Sequence, residues 1–374
     1  MGDRKRNGNG KYNRPQRNRQ TKNGSSTIPT QAMVNAPDQS KPQPLAPPSS
    51  SRGCVKNPIV LVFEIIVIYY MYIVTIYFKM LRVFLPQARK SVKDNVVLVT
   101  GTGRGLGREL ALEFAKLGAK VACVDVDQAG NEETAQLIAK TVPGAVVKTY
   151  KVNVAVRAEI TALAVNVALD LGQVDVLINN AAVIVGHTFL GAKDETISSI
   201  ININLLGHFW MIRTFLPSMM KRNSGHIVAI SSTASLSGLA KLSAYTASKC
   251  GVNGMMESLR EELRSHPETN IQTTIVEPYL MNTSADYMKY INTRLPVLSV
   301  EKVAKATVKG ILRNEVEFSV PMTSYYTNTL RKILPVNISD SIKNIFYVRV
   351  VLPPQECQDN QSNMRIINQT QTAQ

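Results

Sequence analysis

Short apolar runs of strand length alternate with amphipathic stretches of helical length from Asn95 onward, and this alternation restricts the fold more than any other feature. The pattern predicts seven strands, at residues 95–100, 120–125, 145–152, 174–179, 225–231, 271–277 and 315–320. It predicts helices between them, at residues 105–118, 129–141, 155–171, 194–220, 243–265 and 299–313. Strands that alternate with helices form parallel sheets with helices on both faces, so we expect a doubly wound α/β domain with a seven-stranded parallel sheet.

The positive charge of this 374-residue chain is concentrated at its N-terminal end. Of the formal net charge of +16, residues 1–56 carry +9, residues 57–93 carry +4, and residues 94–374 carry only +3. A nearly neutral α/β region argues against a basic nucleic-acid-binding domain. Residues 1–56 are rich in polar residues, Gly and Pro, so we expect a disordered tail. That tail is compatible with binding of anionic lipid headgroups, with loose RNA binding, or with solvation alone.

A 20-residue apolar segment follows the basic tail at residues 59–78 and contains one charge, Glu64. At ~1.5 Å per residue, a helix of this length crosses a ~30 Å hydrocarbon layer. Its tyrosines lie in its second half, where residues at a membrane interface are expected. We therefore predict a membrane anchor at residues 57–86, which either spans the bilayer or enters one leaflet. A buried core helix is the alternative.

The four cysteines, Cys54, Cys123, Cys250 and Cys357, lie far apart and form no CxxC pair. This spacing argues against a structural zinc site or a disulfide framework and favours a reducing compartment; we expect no metal. The sequence divides the chain as follows: a disordered basic tail (1–56), a membrane anchor (57–86), a basic linker (87–93), the α/β domain (94–322), an apolar extension (323–353) and a disordered tail (354–374).

A glycine-rich loop connects the first predicted strand to the first predicted helix, with the sequence TGTGRGLG at residues 100–107. Small residues in this context let the backbone approach a pyrophosphate, and the helix N-terminus supplies free N–H groups and a partial positive charge. We therefore expect a dinucleotide cofactor to bind here, as in Rossmann-type domains. The expected contacts in this loop are Gly101, Thr102, Arg104, Gly105, Leu106 and Gly107.

Asp125 ends the second predicted strand, about 20 residues after the glycine-rich loop. A carboxylate at this position accepts hydrogen bonds from the adenosine ribose hydroxyls and repels a 2′-phosphate, which favours NAD. Arg104 in the loop could instead pair with a 2′-phosphate. Because close charge repulsion outweighs one exposed ion pair, we expect NAD and keep NADP as the alternative.

Three residues near the fifth predicted strand form a pattern that suits proton transfer. Ser232 ends that strand, Tyr245 follows thirteen residues later, and Lys249 lies four residues further on. Residues four apart share one face of a helix, so the Lys249 ammonium is expected to lower the pKa of the Tyr245 phenol. A nearby Ser232 hydroxyl would orient the substrate oxygen. We predict that Ser232 and Tyr245 contact substrate while nicotinamide carries the hydride.

Together these motifs resemble the short-chain dehydrogenase/reductase family, with further matches in NNAA (179–182), ININ (201–204) and YTASK (245–249). The resemblance implies that Tyr245 is the acid/base, and that Lys249 tunes it and also holds the nicotinamide ribose. It implies that Asn204 completes a proton relay through a bound water. It adds five residues to the cofactor site: Asn153, Asn180, Ala181, Pro278 and Thr283.

Three positions depart from the usual pattern of that family. Ala182 replaces the glycine of NNAG, Asn153 replaces an aspartate that contacts adenine, and Tyr279 replaces the glycine that often follows Pro278. None of these changes removes a catalytic group.

Within the family, this chain resembles the membrane-associated retinol dehydrogenases and the lipid-droplet 17β-hydroxysteroid dehydrogenases. The resemblance lies in the anchor, in DVDQAGNEET (125–134), in PYLMNT (278–283) and in the late apolar stretch LRKILPVNISDSIKNIF (330–346). This resemblance implies an oxidoreductase that transfers a hydride between NAD(H) and a retinoid or hydroxysteroid. It also implies a homodimer at the endoplasmic reticulum or a lipid droplet, with the catalytic domain facing the cytosol. The alternative is a non-catalytic membrane or lipid-droplet protein that retains the cofactor-binding fold.

Two apolar stretches leave alternatives open. Residues 279–290 either form a lid over a lipid alcohol or pack as an ordinary loop. Residues 329–350 form a second membrane-contacting segment, or pack on their own domain, or pack on a second subunit.

Overall fold

The computed structural model describes residues 89–266, 268–283 and 288–351, and in the predicted anchor Ile59, Val62, Phe63, 66–71, Ile73 and Val74. Every described residue belongs to the unit that spans residues 50–374. The two predicted tails, 1–56 and 354–374, lie outside the described residues.

The α/β domain contains a main sheet, a small second sheet and helices that connect the strands. The main-sheet strands are β1 (Val96–Thr100), β2 (Lys120–Asp125), β3 (Val147–Lys151), β4 (Val174–Asn179), β5 (Gly225–Ile230), β6 (Ile271–Pro278) and β8 (Glu317–Val320). The small sheet pairs β7 (Ile291–Thr293) with β9 (Val348–Val350). The helices are α1 (Gly105–Lys116), α2 (Gln128–Thr141), α3 (Arg157–Asp170), α4 (Asp194–Ile201), α5 (Gly207–Arg222), α6 (Thr233–Leu236), α7 (Ser243–Arg264), α8 (Val300–Leu312), α9 (Met322–Lys332) and α10 (Val336–Ile345).

The main sheet is parallel throughout and has the strand order β3-β2-β1-β4-β5-β6-β8. This order confirms the predicted doubly wound, Rossmann-type fold with seven strands. The chain leaves β1 toward β2 on one side and later returns to β4 on the other side. The carboxyl ends of β1 and β4 therefore border the crevice in which such sheets bind ligands.

Both faces of the sheet are covered, which explains why its strands are almost continuously apolar. Successive side chains of β1 point to opposite faces: Val97 and Val99 pack in one core cluster, and Val96 and Leu98 pack in the other. Helices α1 and α8 cover the first face, and helices α3, α5 and α7 cover the second.

Two differences from the predicted elements bear on the site, besides the unpredicted short elements α6 and β7. The predicted helix at 194–220 is divided into α4 and α5 by a π-helical turn, Asn202–Leu206. The predicted apolar extension, 323–353, forms helices α9 and α10 and then β9, which pairs antiparallel with β7. Strand β9 places Val350 opposite Ile291, so the extension packs on its own domain.

The basic linker contacts the edge of the α/β domain that is opposite the crevice. The Lys90 amide donates to the carbonyl oxygen of Leu312 at 2.9 Å, and the Lys90 ammonium lies 2.5 Å from His226 Nδ1 near the start of β5. The described residues of the predicted anchor are helical, and Ile59 and Tyr70 are among the exposed ones. In the part of the chain that the structure describes, no helix is both long and apolar enough to cross a membrane. Most of residues 57–86 lies outside that part, so the anchor stays a prediction.

Candidate active site

The glycine-rich loop turns tightly between β1 and α1. Gly101 has a φ of +76°, a conformation that favours glycine, and its amide donates to the Val124 carbonyl oxygen at 2.7 Å. A β-carbon at Gly107 would lie only 1.9 Å from the Gly101 carbonyl oxygen. Helix α1 therefore begins in direct contact with the loop. Leu106 and Thr102 are buried on either side of the turn.

Arg108 holds the loop in place, a role that was not predicted from the sequence. Its Nε donates to Thr134 Oγ1 at 2.9 Å, and its Nη2 donates to the carbonyl oxygens of Gly103 and Gly130. The same guanidinium pairs with Glu133 at 3.1 Å. A basic residue in the first turn after the loop, together with the polar stretch 131–134, is the signal that could have revealed this clamp.

Asp125 lies at the end of β2 beside the loop, as predicted. Its Oδ2 accepts a hydrogen bond from the Gly103 amide at 2.7 Å, and its Oδ1 accepts one from the Asp127 amide at 2.9 Å. These bonds fix the half-buried carboxylate at the edge of the crevice. Arg104 is exposed at the N-cap of α1. The structure thus brings the two residues expected to decide cofactor choice to the same loop.

Most other predicted cofactor residues also lie around the crevice. Thr100 Oγ1 accepts hydrogen bonds from the amides of Asn180 at 2.9 Å and Ala181 at 3.0 Å, which fixes the start of the loop after β4. Thr283 approaches the glycine-rich loop, with its methyl carbon 3.5 Å from the position of a β-carbon at Gly105. Pro278 is buried at the end of β6.

Asn153 follows β3 beside Asp125, because the Val152 amide donates to the Asp125 carbonyl oxygen at 2.9 Å. Its side chain accepts a hydrogen bond from the Ala155 amide at 3.0 Å. Asn153 also lines an open pocket of about 480 Å³ together with Asp194, Ser198 and Asn202. The position therefore suits a contact with one end of a dinucleotide.

Ser232 and Tyr245 meet in the structure. The Ser232 side chain is close enough to the Tyr245 phenol to lower the pKa of that phenol through a hydrogen bond, and Ser232 Oγ accepts a hydrogen bond from the Ala234 amide at 3.1 Å as the N-cap of α6. Burial raises the pKa of Tyr245, and the hydrogen bond from Ser232 opposes that shift. A serine and a tyrosine in this arrangement could bind one substrate oxygen together.

Lys249 lies one helical turn after Tyr245 on α7, with its ammonium 5.8 Å from the centre of the tyrosine ring. The side chain is buried, 1% exposed, and its ammonium donates to the Ile230 carbonyl oxygen at 2.8 Å. Burial lowers the pKa of Lys249 to about 7. The predicted lowering of the Tyr245 pKa is not observed, because the cost of burying a phenolate dominates and raises that pKa instead.

Asn204 is fully buried in the π-helical turn and connects two parts of the site. Its Oδ1 accepts a hydrogen bond from the Val183 amide at 2.8 Å, and its Nδ2 donates one to the Val183 carbonyl oxygen at 2.9 Å. Its amide also donates to Ser248 Oγ at 3.2 Å, and Ser248 donates to the Tyr245 carbonyl oxygen at 2.6 Å. Asn204 therefore fixes the loop after β4 against the helix that carries Tyr245. Its part in a water relay stays a prediction.

Apolar side chains from distant parts of the sequence surround Tyr245. Leu242 and Val350 are buried in this cluster, and Ile184, Leu239 and Ile291 pack against it together with the tyrosine. Two of these residues belong to β7 and β9. The position of the C-terminal extension beside the tyrosine was not predicted, because the pairing of these two short strands brings it there.

Comparison with known proteins agrees with the geometry. The family model described as short chain dehydrogenase matches residues 95–292. The chain is 40% identical to mouse 17-beta-hydroxysteroid dehydrogenase 13 over 243 residues, which covers 65% of this chain and 79% of the relative. It is 37% identical to mouse epidermal retinol dehydrogenase 2 over 254 residues, which covers 67% of this chain and 82% of the relative.

Solved structures resemble the fold. A metagenomic short-chain oxidoreductase in complex with NADP has a TM-score of 0.51 and 29% identity, and the match covers 61% of this chain and 94% of that chain. A short chain dehydrogenase/reductase from Burkholderia phymatum in complex with NAD has a TM-score of 0.58, and the match covers 71% and 99%. The second likeness, at 23% identity, concerns the fold alone.

Proposed function

The chain belongs to the short-chain dehydrogenase family and is an oxidoreductase acting on the CH–OH group of donors, and from this premise we propose that it transfers a hydride between NAD(H) and a lipophilic alcohol or its carbonyl. The proposed substrate class is a retinoid or a hydroxysteroid. The names of the relatives, which include a retinol dehydrogenase and 17-beta-hydroxysteroid dehydrogenases, support this choice.

One observation carries the proposal: Tyr245, with the Ser232 side chain beside it, packs against an apolar cluster. The hydroxyl groups of Ser232 and Tyr245 are suited to hold a substrate oxygen, while Leu239, Ile291 and Val350 offer apolar surface. An alcohol on an apolar skeleton matches both requirements, because its oxygen is hydrogen-bonded and its skeleton leaves water.

The residues around the glycine-rich loop fit a nicotinamide dinucleotide. The tight packing of Gly107 on Gly101 leaves the N-terminus of α1 close to the backbone of the loop, where a pyrophosphate can accept N–H hydrogen bonds. Asp125 would hold the adenosine ribose, and Asn180, Ala181, Pro278 and Thr283 would border the nicotinamide end. The bound nicotinamide supplies the hydride acceptor or donor. We favour NAD because the Asp125 carboxylate is fixed at the loop and would repel a 2′-phosphate.

In this proposal the protein side chains transfer the proton. In alcohol oxidation, Ser232 would hold the substrate oxygen and Tyr245 would take the hydroxyl proton as the hydride leaves the carbon. A positive Lys249 close to the tyrosine would favour the phenolate in this step. In the reverse direction Tyr245 would return the proton to the carbonyl oxygen.

We also propose that the protein works at a membrane or lipid-droplet surface of the endoplasmic reticulum system, with its catalytic domain facing the cytosol. The apolar segment at 57–86 supports this, and so does helix α10 with the residues just before it. There Ile333 and Val336 are 77% and 76% exposed, close to the basic residues Lys332 and Lys343. We further propose a homodimer, with Phe209, exposed on α5, as a candidate contact.

The decisive experiment measures NADH formation by the purified full-length protein. All-trans-retinol and estradiol are offered in parallel, each with NAD and with NADP. We expect turnover with at least one alcohol and a higher kcat/KM with NAD. Tyr245→Phe should abolish turnover and leave NAD binding intact. If neither the wild type nor Tyr245→Phe turns over any of the alcohols while both bind NAD, the result would instead favour a cofactor-binding protein without catalytic activity.

Membrane association is tested separately, by flotation with vesicles of phosphatidylcholine and phosphatidylserine. We expect the full chain to float and a variant that lacks residues 57–86 to float less. Flotation that depends only on residues 1–56 would overturn the proposed anchor.

A further inference from the structure

A buried polar cluster links β6 to the turn that carries Ser232. Glu277 on β6 is fully buried, and its Oε1 accepts a hydrogen bond from the Asn253 amide at 2.7 Å. The same oxygen lies 3.0 Å from the hydroxyl of Ser235, which belongs to α6. Ser235 Oγ also lies 2.6 Å from the main-chain carbonyl oxygen of Ser232. The carboxyl group therefore connects to the Ser232 backbone through a single side chain.

We propose that Glu277 is a positioning residue of the active site, which acts through Ser235 and controls how firmly the turn that carries Ser232 is held. This inference rests on the proposed function, because the position of Ser232 matters to turnover only if that residue binds substrate.

The cluster reaches both elements that carry the proposed catalytic groups. Tyr245, Lys249 and Asn253 succeed one another at intervals of four residues on α7, so they share one face of that helix. Asn253 donates to Glu277 and also to Ser235 Oγ, at 3.2 Å. A substitution at Glu277 would therefore alter hydrogen bonds to both α6 and α7.

Ser235 can satisfy only one of its two acceptors at a time, since a hydroxyl group carries one hydrogen. The competing acceptors are the Ser232 carbonyl oxygen and Glu277 Oε1. An ionised carboxylate is the stronger acceptor and would draw the hydrogen away from Ser232. A neutral carboxylic acid competes less, so the Ser235 hydrogen stays on Ser232. The charge of Glu277 thus determines how well the turn is held.

The surroundings of Glu277 keep both charge states accessible. Its Oε2 is buried and has no hydrogen-bond partner among the described residues, which disfavours the ionised form. Burial and the charge of Glu317 on β8 raise the pKa of Glu277, while the bonds from Asn253 and Ser235 and the charge of Lys332 oppose the shift; the result is a pKa of about 7. The groups that face Glu317 in turn are Glu257, Arg260 and Tyr325.

The test uses Glu277→Gln, which keeps the shape and the neutral carbonyl acceptor but cannot ionise. Amide hydrogen exchange of the turn at residues 232–237 is measured from pH 6 to 9 and corrected for the intrinsic exchange rate. In the wild-type protein we expect protection of this turn to fall as the pH rises through about 7. In Glu277→Gln it should stay at the level that the wild type shows at low pH. Ser235→Ala lacks the bond to the Ser232 carbonyl oxygen, so its protection should stay near the level that the wild type shows at high pH and should not change near pH 7.

Turnover gives the second readout. We expect Ser235→Ala to lower kcat roughly tenfold with little change in the KM for NAD, since a displaced catalytic group costs rate without touching the cofactor loop. Glu277→Gln should change the kcat profile near pH 7 and leave only the component that belongs to Lys249, which titrates in the same range. The matched control is Glu317→Gln, which removes a neighbouring carboxylate that does not contact Ser235. It should keep the pH-dependent step and move it to lower pH.

The proposal is overturned if Glu277→Gln follows the wild type at every pH, or if Ser235→Ala leaves exchange of the turn unchanged. If the wild type turns over no alcohol, the proposed function fails instead, and the exchange measurement alone decides the role of Glu277.

Discussion

The Lys249 ammonium donates a 2.8 Å hydrogen bond to the carbonyl oxygen of Ile230, and this bond ties helix α7 to the carboxyl end of β5. The lysine is 1% exposed and has no carboxylate partner among the salt bridges of the described residues. A buried ammonium with one neutral acceptor is costly for the folded state. We expect a group this costly to serve the proposed catalysis rather than the stability of the fold.

Lys249→Met should therefore abolish turnover without destabilising the protein at pH 7. Burial lowers the pKa of Lys249 from 10.5 to about 7, so above pH 7 the unfolded chain binds more protons than the folded one. The free energy of unfolding of the wild type should then rise with pH between about 7 and 10, by at most ~1.4 kcal/mol per pH unit for this group. Denaturant unfolding at pH 7 and 9 measures the slope, which should be smaller in Lys249→Met.

Lys90, whose pKa burial lowers to about 8, contributes a similar slope and provides the control. Lys90→Met should reduce the slope as well but leave the chemistry of the active site intact. Equal slopes in wild type and Lys249→Met would contradict the assignment of a buried, weakly basic lysine.

Gly107 is the position where a side chain is least tolerated in the cofactor loop. A β-carbon there would lie 1.9 Å from the Gly101 carbonyl oxygen, so Gly107→Ala must push α1 away from the loop. We expect at least a tenfold rise in the Kd for NAD and a loss of roughly 2–4 kcal/mol of unfolding free energy. Calorimetric titration and denaturant unfolding measure these two effects.

Gly254→Ala is the matched control, because Gly254 lies within α7 and a β-carbon there would meet no atom within 4 Å. Alanine is the better helix former, so this variant should gain up to ~1 kcal/mol and bind NAD normally. A Gly107→Ala protein that behaves like Gly254→Ala would show that the loop can move without consequence.

The sequence predicted the sheet and the cofactor loop well because both depend on local patterns. All seven strands were expected within two or three residues, since apolar runs of strand length separated by helices leave few other folds. The π-helical turn at Asn202–Leu206 was missed, because it coincides with bonds from Asn204 to Val183, a residue remote in sequence. The roles of Arg108 and Glu277 were missed for the same reason: their partners are distant along the chain.

The raised pKa of Tyr245 shows a different limit of sequence reasoning. Spacing alone correctly placed Lys249 next to the tyrosine, but it could not reveal how deeply both groups are buried. Desolvation raises the pKa of the phenol, and the hydrogen bond from Ser232 opposes this shift without cancelling it.

Asp125 should select NAD through its charge rather than through its contacts with the loop. Asp125→Asn keeps an oxygen acceptor for the Gly103 amide but removes the charge that would repel a 2′-phosphate. We expect the ratio of kcat/KM for NADP to that for NAD to rise at least tenfold, which corresponds to about 1.4 kcal/mol. Initial rates with both cofactors measure the ratio.

Asp127→Asn is the control for that substitution, because Asp127 is a nearby acid that caps α2 through the Gly130 amide and does not contact the loop glycines. In Asp127→Asn the ratio of kcat/KM for NADP to that for NAD should stay at the wild-type value. A ratio that changes equally in both variants would assign the preference to the general charge of the region.

His226 lies at the edge of the sheet opposite the crevice, and it should make the free energy of unfolding sensitive to acid. Its Nδ1 lies 2.5 Å from the Lys90 ammonium and its Nε2 lies 2.8 Å from Thr274 Oγ1, so the neutral ring accepts from the lysine. Burial and the charge of Lys90 hold the pKa of His226 well below 6.5. As the pH falls below about 6.5, the unfolded chain takes up a proton that the folded protein cannot, and the free energy of unfolding falls by at most ~1.4 kcal/mol per pH unit for this residue. Denaturant unfolding at pH 7.5 and 5.5 measures this loss of unfolding free energy.

His226→Gln, which cannot protonate, should lose less unfolding free energy on acidification than the wild type. His266→Gln, which replaces a half-buried histidine near Glu268, should lose as much as the wild type. An unchanged acid sensitivity in His226→Gln would mean that the buried His208, whose pKa burial also lowers, accounts for the effect instead.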